Sequence, residues 1–129
     1  MIFTGPRCAR AARRAALLAA IAAFSAISGC HSAFVQVTIV NHAGGPVRLV
    51  ELDYPSASFG MTNLEANANY HYRFKIQGSG SAKLDFTDAQ GKAHHAVGPE
   101  LDEGQEGTLL VTIHEAGDVT WAPQLTVSR

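Results

Sequence analysis

Tyr70, Tyr72, Phe74 and Ile76 alternate with His71, Arg73, Lys75 and Gln77, which is the clearest hydrophobic–polar period in the chain. A period of two sends successive side chains to opposite sides of a sheet, so residues 70–77 are predicted to be a strand with one buried and one wet face. The same reasoning applies to residues 34–41, where Val35, Val37 and Ile39 oppose Gln36 and Thr38. Further strands are predicted at 47–54, ended by Pro55, and at 57–62, 82–87, 92–97, 108–114 and 119–122, with a last fragment at 125–127. Between them lie turn clusters rich in Gly, Asn, Asp, Ser and Pro: 41–46 with Gly44-Gly45, 78–81, 88–91, and 116–118. Residues 98–107 form an acidic, glycine-bounded stretch that reads as a loop.

No helical period follows residue 30. Seven or eight short strands with turn signals every eight to fifteen residues predict an all-β domain, an antiparallel β-sandwich of immunoglobulin-like or transthyretin-like kind. Strand order is not readable from the pattern. The run Leu64-Glu65-Ala66-Asn67-Ala68-Asn69-Tyr70-His71-Tyr72-Arg73-Phe74 resembles a pattern of bacterial immunoglobulin-like domains, a leucine, a small polar turn and an alternating strand. The turn usually carries Pro and Gly, where this chain has Ala66 and Asn67. That resemblance implies a fold and no activity.

The N-terminal segment has a different character. Arg7, Arg10, Arg13 and Arg14 precede an apolar run over residues 15–27 with no Asp or Glu among them. A helix of that run is about 20 Å long at 1.5 Å per residue, short of the ~30 Å hydrocarbon core, so a secretory signal fits better than a permanent span. It ends in Ile27-Ser28-Gly29-Cys30, which resembles the lipobox of bacterial lipoproteins. The resemblance implies that the Cys30 thiol receives a diacylglyceryl group, that the chain is cut between Gly29 and Cys30, and that the new amino terminus is acylated. Arg13-Arg14 lacks the rest of a twin-arginine motif and reads as n-region charge.

The expected organisation is a signal peptide over 1–29, a lipidated tether over 30–33 and a β-sandwich over 34–129. Cys8 and Cys30 are the two cysteines, so the folded domain would hold neither thiol nor disulfide. Two or more acyl chains give stable anchoring, and the domain is expected on a bacterial membrane. His31, instead of the aspartate that marks inner-membrane retention in some bacteria, points to the outer membrane facing the periplasm.

Charge and motif patterns narrow the function. The chain is −1 in total, but residues 30–129 carry six Lys and Arg against eleven Asp and Glu, a balance of −5. Nucleic-acid binders need a basic face, so a nucleic-acid partner is not expected. Six histidines invite a metal, yet no His-x-His, no Cys pair and no helical His spacing occurs, and His94-His95 leave a strand on opposite faces. No metal site or cofactor is therefore assigned. Glu100, Asp102, Glu103 and Glu106 offer oxygen ligands of the kind calcium takes, without a recognisable calcium-loop spacing. There is no Gly-x-Ser-x-Gly elbow and no phosphate loop, and Asp85 and Asp88 merely flank a turn. An enzyme is not expected.

Tyr54, Phe59 and Met61, set among Pro, Ser and Gly, are the candidate partner-binding residues, although a small sandwich needs its apolar residues for the core and Phe59 and Met61 read first as plugging its open end or belonging to an edge strand. Trp121 is expected in the core. The expected function is a non-enzymatic accessory or adaptor lipoprotein that binds a protein or another envelope component. A periplasmic domain binding Cu, Zn or Ca is the alternative, and a hydrolase built from dispersed residues is a third reading.

Overall fold

The computed structural model describes residues 32–127, and the signal peptide, Gly29, Cys30 and His31 lie outside the described residues. The strands belong to one compact unit beginning at Ala33. They are β1 Val35–His42, β2 Val47–Tyr54, β3 Ala57–Leu64, β4 Asn69–Phe74, β5 Gly80–Thr87, β6 Ala93–Leu101, β7 Gln105–His114 and β8 Val119–Val127. Two four-stranded sheets form, in the orders β4-β1-β7-β8 and β3-β2-β5-β6. The domain is a β-sandwich, as the alternation predicts.

The immunoglobulin arrangement puts the first two strands in one sheet. Here β1 and β2 lie in opposite sheets. One pair departs from the antiparallel expectation. β1 and β7 run parallel, with Val35 opposite Gly107 and His42 opposite His114. Both strands start at the same end of the sandwich, and β7 reaches its place beside β1 only after the chain has built the other sheet.

Alternate residues fill the interior. Val35, Val37 and Ile39 of β1 and Leu109, Val111 and Ile113 of β7 face Val47, Val50 and Leu52 of β2 and Ala82, Leu84 and Phe86 of β5. At roughly 25 cal/mol per Å² of apolar surface removed from water, this shared interior is the main source of stability. The two open flanks close differently. On one, Phe59 of β3 stacks on Tyr72 of β4 at 3.9 Å, and Tyr54 stacks on Phe74 at 4.0 Å. On the other, Trp121 of β8 lies over Gly98 of β6 so closely that a Cβ on Gly98 would stand 2.7 Å from the indole.

Several boundaries differ from expectation for physical reasons. β4 stops at Phe74 because its partner begins at Val35, although Ile76 beyond it is still buried. The stretch 98–107 is mostly strand, since β6 continues to Leu101 and β7 starts at Gln105. The fragments 119–122 and 125–127 are one strand that passes through Pro123. As an edge residue, Pro123 can turn its missing N–H away from the ladder. β2 carries a bulge between Arg48 and Glu51, where Leu49 takes a left-handed φ of 49° and points outward.

The chain enters β1 at one end of the sandwich. The 55–56, 75–79 and 102–104 connections share that end, and 43–46, 65–68, 88–92 and 115–118 gather at the other.

Candidate functional site

The far end of the sandwich holds a cleft of about 380 Å³ between the 43–46, 88–92 and 115–118 connections. Phe86 lies at its base, Ala43, Gly44 and Gly45 form one wall, and Asp88, Gln90 and Glu115 are its polar lining. No Lys or Arg lines it. The carboxylate of Glu115 sits beside Gly44, 3.6 Å from where a Cβ on that glycine would be.

Asp88 organises the first wall. Its Oδ1 accepts from the backbone N–H of Gln90 and Lys92, both at 2.9 Å, and its Oδ2 pairs with His94 Nε2 at 2.8 Å. The hydrogen bond from His94, followed by the one from the Lys92 backbone, lowers the Asp88 pKa below its ordinary 3.8. His94 is only 14% exposed and stacks on Phe86 with ring centroids 5.0 Å apart. Gly117 closes over the same imidazole. Its φ of 82° is left-handed, and a Cβ there would fall 2.2 Å from the ring. Ala116 before it is also left-handed, at φ 65°.

The second wall hangs on Asn41, the one fully buried polar side chain among the described residues. Its Nδ2 donates to the carbonyls of Gly45 at 2.8 Å, Leu64 at 3.0 Å and Glu65 at 3.2 Å, and its Oδ1 accepts from Ala43 N–H at 2.9 Å. Its backbone N–H donates to Ala68 O, and its carbonyl accepts from Asn67 N–H. One side chain thus ties the 43–46 and 65–68 connections together. The turn of the Leu64–Phe74 pattern crosses between sheets here, with Asn67 in a left-handed φ of 64°.

Of the candidate partner-binding residues, Phe59 is 9% exposed and belongs to the core, while Tyr54 and Met61 are half-buried against it. Burial and the neighbouring Tyr72 hydroxyl push the Tyr54 pKa up. All three lie away from the cleft, and Trp121 packs on the core as anticipated. The acids of 98–107 are dispersed. Glu100 accepts from Ser81 at 3.0 Å, Asp102 and Glu103 lie at or in the 102–104 turn, and Glu106 is on β7. His42 and His114 are register neighbours on β1 and β7, with His114 Nε2 bonded to Thr120 Oγ1 at 2.9 Å. Among the described residues no group of three or more His, Cys, Asp or Glu converges as a metal cage. No helix among them is long and apolar enough to cross a membrane.

Sequence reasoning missed the two carboxylate–imidazole pairs, Asp88–His94 and Asp85–His95. The 88–91 turn signal was available: folding β5 onto β6 about that turn puts Asp85 directly opposite His95.

No known family model and no curated protein matches the chain. Its fold is similar to an NMR structure of a protein from Eubacterium rectale, with a TM-score of 0.52 and 11% identity, covering 69% of this chain and 86% of that one. At that identity the likeness shows the fold alone.

Proposed function

We propose that this protein is a non-enzymatic lipoprotein of the bacterial envelope, an adaptor that presents the cleft end of its sandwich to a partner. The observation that carries the reading is positional. The cleft lies at the end of the sandwich opposite the point where the chain enters β1, eight residues or about 26 Å along that strand at ~3.3 Å per residue.

Three residues, His31 to Ala33, separate Cys30 from Phe34. Even fully extended, the path from Cys30 to Phe34 spans no more than about 14 Å. A lipid on Cys30 keeps the entry end near the bilayer and leaves the cleft end reaching outward. Loops carried on a rigid sheet scaffold are common sites of recognition. Small walls, the carboxylates of Asp88 and Glu115, the Gln90 amide and the absence of cations suit a donor-bearing group, such as a lysine, arginine or amide side chain on an envelope protein.

A photo-crosslinking residue at Gln90, placed in the full chain in native membranes, should capture a defined protein that the same residue at Glu103 does not. The captured protein, repurified, should bind the wild-type chain at least tenfold tighter than Glu115→Lys, about 1.4 kcal/mol. Equal capture from both ends, or binding indifferent to Glu115→Lys, contradicts the reading.

A further inference from the structure

Among the described residues four strands lie at sheet edges, and three of them carry features that keep foreign strands away. β4 has only six residues and presents His71 and Arg73 outward, β6 holds Pro99 and Glu100, and β8 holds Pro123. β3 differs. Its eight residues include no charge and no proline, and it keeps one register with β2 from Ala57 to Leu64.

The outer face beside β3 is shaped to receive a side chain. Leu49 of β2 is 67% exposed and held at the left-handed φ of the bulge, a strained conformation for a leucine. With Glu51, Gly60, Met61 and Thr62 it lines a groove of about 230 Å³ at the β2–β3 margin. Gly60 has no side chain, and a Cβ there would stand 2.8 Å from the Val50 carbonyl oxygen, so the groove stays low on its edge side. Glu51 stands in register with Gly60 on one side and with Asp85 on the other, and Asp85 is engaged by His95. Like charges directly opposite in a sheet repel. Glu51 has no ion-pair partner among the described residues. The two cations of this face stand elsewhere, Lys83 in register with Asp53 and Arg48 with Asn63.

We propose that β3 is a docking edge for an extended segment of another protein, which adds as a fifth strand and places a lysine or arginine opposite Gly60. The outward backbone N–H and C=O groups of an edge pair with an incoming strand, and that pairing supplies affinity while side-chain pockets supply selectivity. The groove selects the cation. A lysine or arginine at that position lays its methylenes across Gly60 and against Leu49, and its charge reaches Glu51. The two Cα atoms are then two strand spacings apart, about 10 Å. Charge argues against a second copy as the occupant. Two β3 edges paired about a two-fold axis offer no cation and bring two Glu51 carboxylates with them. Neither the lipid on Cys30 nor the cleft takes part, so this edge and the role proposed for the cleft stand or fall separately.

The test titrates capped peptides of alternating threonine and valine, with lysine or glutamate at a central threonine position, into the full chain in detergent. The lysine peptide should bind at least about fivefold tighter than the glutamate peptide at low salt, and the ratio should fall at high salt. Glu51→Gln relieves the contact with Asp85, so it should fold as well as the wild type, and it should erase the ratio. Glu100→Gln, on edge strand β6, should keep it. N-methylation of one alternate set of amides in the lysine peptide should abolish binding, and of the other set should leave it, because only every second N–H faces the edge. No binding at millimolar peptide, no preference for lysine, a preference that survives Glu51→Gln, or equal effects of the two methylated sets overturns the proposal. Crosslinking of Ser58→Cys chains to one another at twice the monomer mass places a second copy on the edge and overturns it as well.

Discussion

Asn41 occupies the interior at no cost in unsatisfied polar atoms, because its amide meets three carbonyls and one N–H that the two connections could not otherwise pair. Asn41→Leu strands those groups, and a loss of about 2–4 kcal/mol is expected in denaturant unfolding, with the cleft wall loosened as well. Asn41→Asp should fare no better, since a carboxylate would face the carbonyls of Gly45, Leu64 and Glu65. Asp88 makes a prediction of opposite visibility, at the surface and dependent on pH. Its folded pKa lies below the ordinary 3.8, so its contribution is complete above that value and disappears as pH falls through the lowered folded one. The difference in Tm between wild type and Asp88→Asn should therefore shrink as pH falls below about 4. A difference that grows in acid contradicts the pairing. Neither role is readable from sequence. Asn41 looks like a turn residue until Leu64 and Glu65 are placed beside it, and the Asp88 carboxylate earns its partner only when β6 folds back.

At the scale of elements the alternation was highly legible. Tyr70, Tyr72, Phe74 and Ile76 do share the inner face, and His71 and Arg73 the outer. Illegibility begins where the period breaks. In β2 the inward residues are Val47, Val50 and Leu52, a spacing that only the bulge at Leu49 explains. In 98–107 the acids masked two strand ends whose backbone pairing ignores side-chain charge. On the flank, the reading of Phe59 as a plug agrees with its burial and its stacking on Tyr72, a partner that the alternation alone does not name. Since it is a plug, Phe59→Ser should cost about 3–5 kcal/mol, the range of large-to-small changes in cores, and is a poor probe of partner binding. On the opposite flank, Gly98→Ala drives a methyl into the Trp121 indole and should lower stability by about 1–3 kcal/mol with a change in Trp121 fluorescence. Unchanged stability and spectrum would mean that the indole does not close that flank.

The whole molecule divides its tasks by direction. At one end the chain enters β1, and the other carries a cleft lined by Asp88 and Gly117, with Asn41 holding the connections behind it. The sandwich class was visible in turn spacing, but the sheet order that produces these directions was not. The parallel β1–β7 pair joins strands more than sixty positions apart, and nothing local encodes it. The orientation becomes functional only if the chain is held at its entry end, so the lipid on Cys30 is the claim on which the account turns. Intact and peptide mass spectrometry of the protein from membranes should find a chain that begins at Cys30, with diacylglyceryl on its sulfur and an acyl group on its amine. A mature chain with that thiol unmodified, or one retaining residues upstream of Cys30, would contradict it.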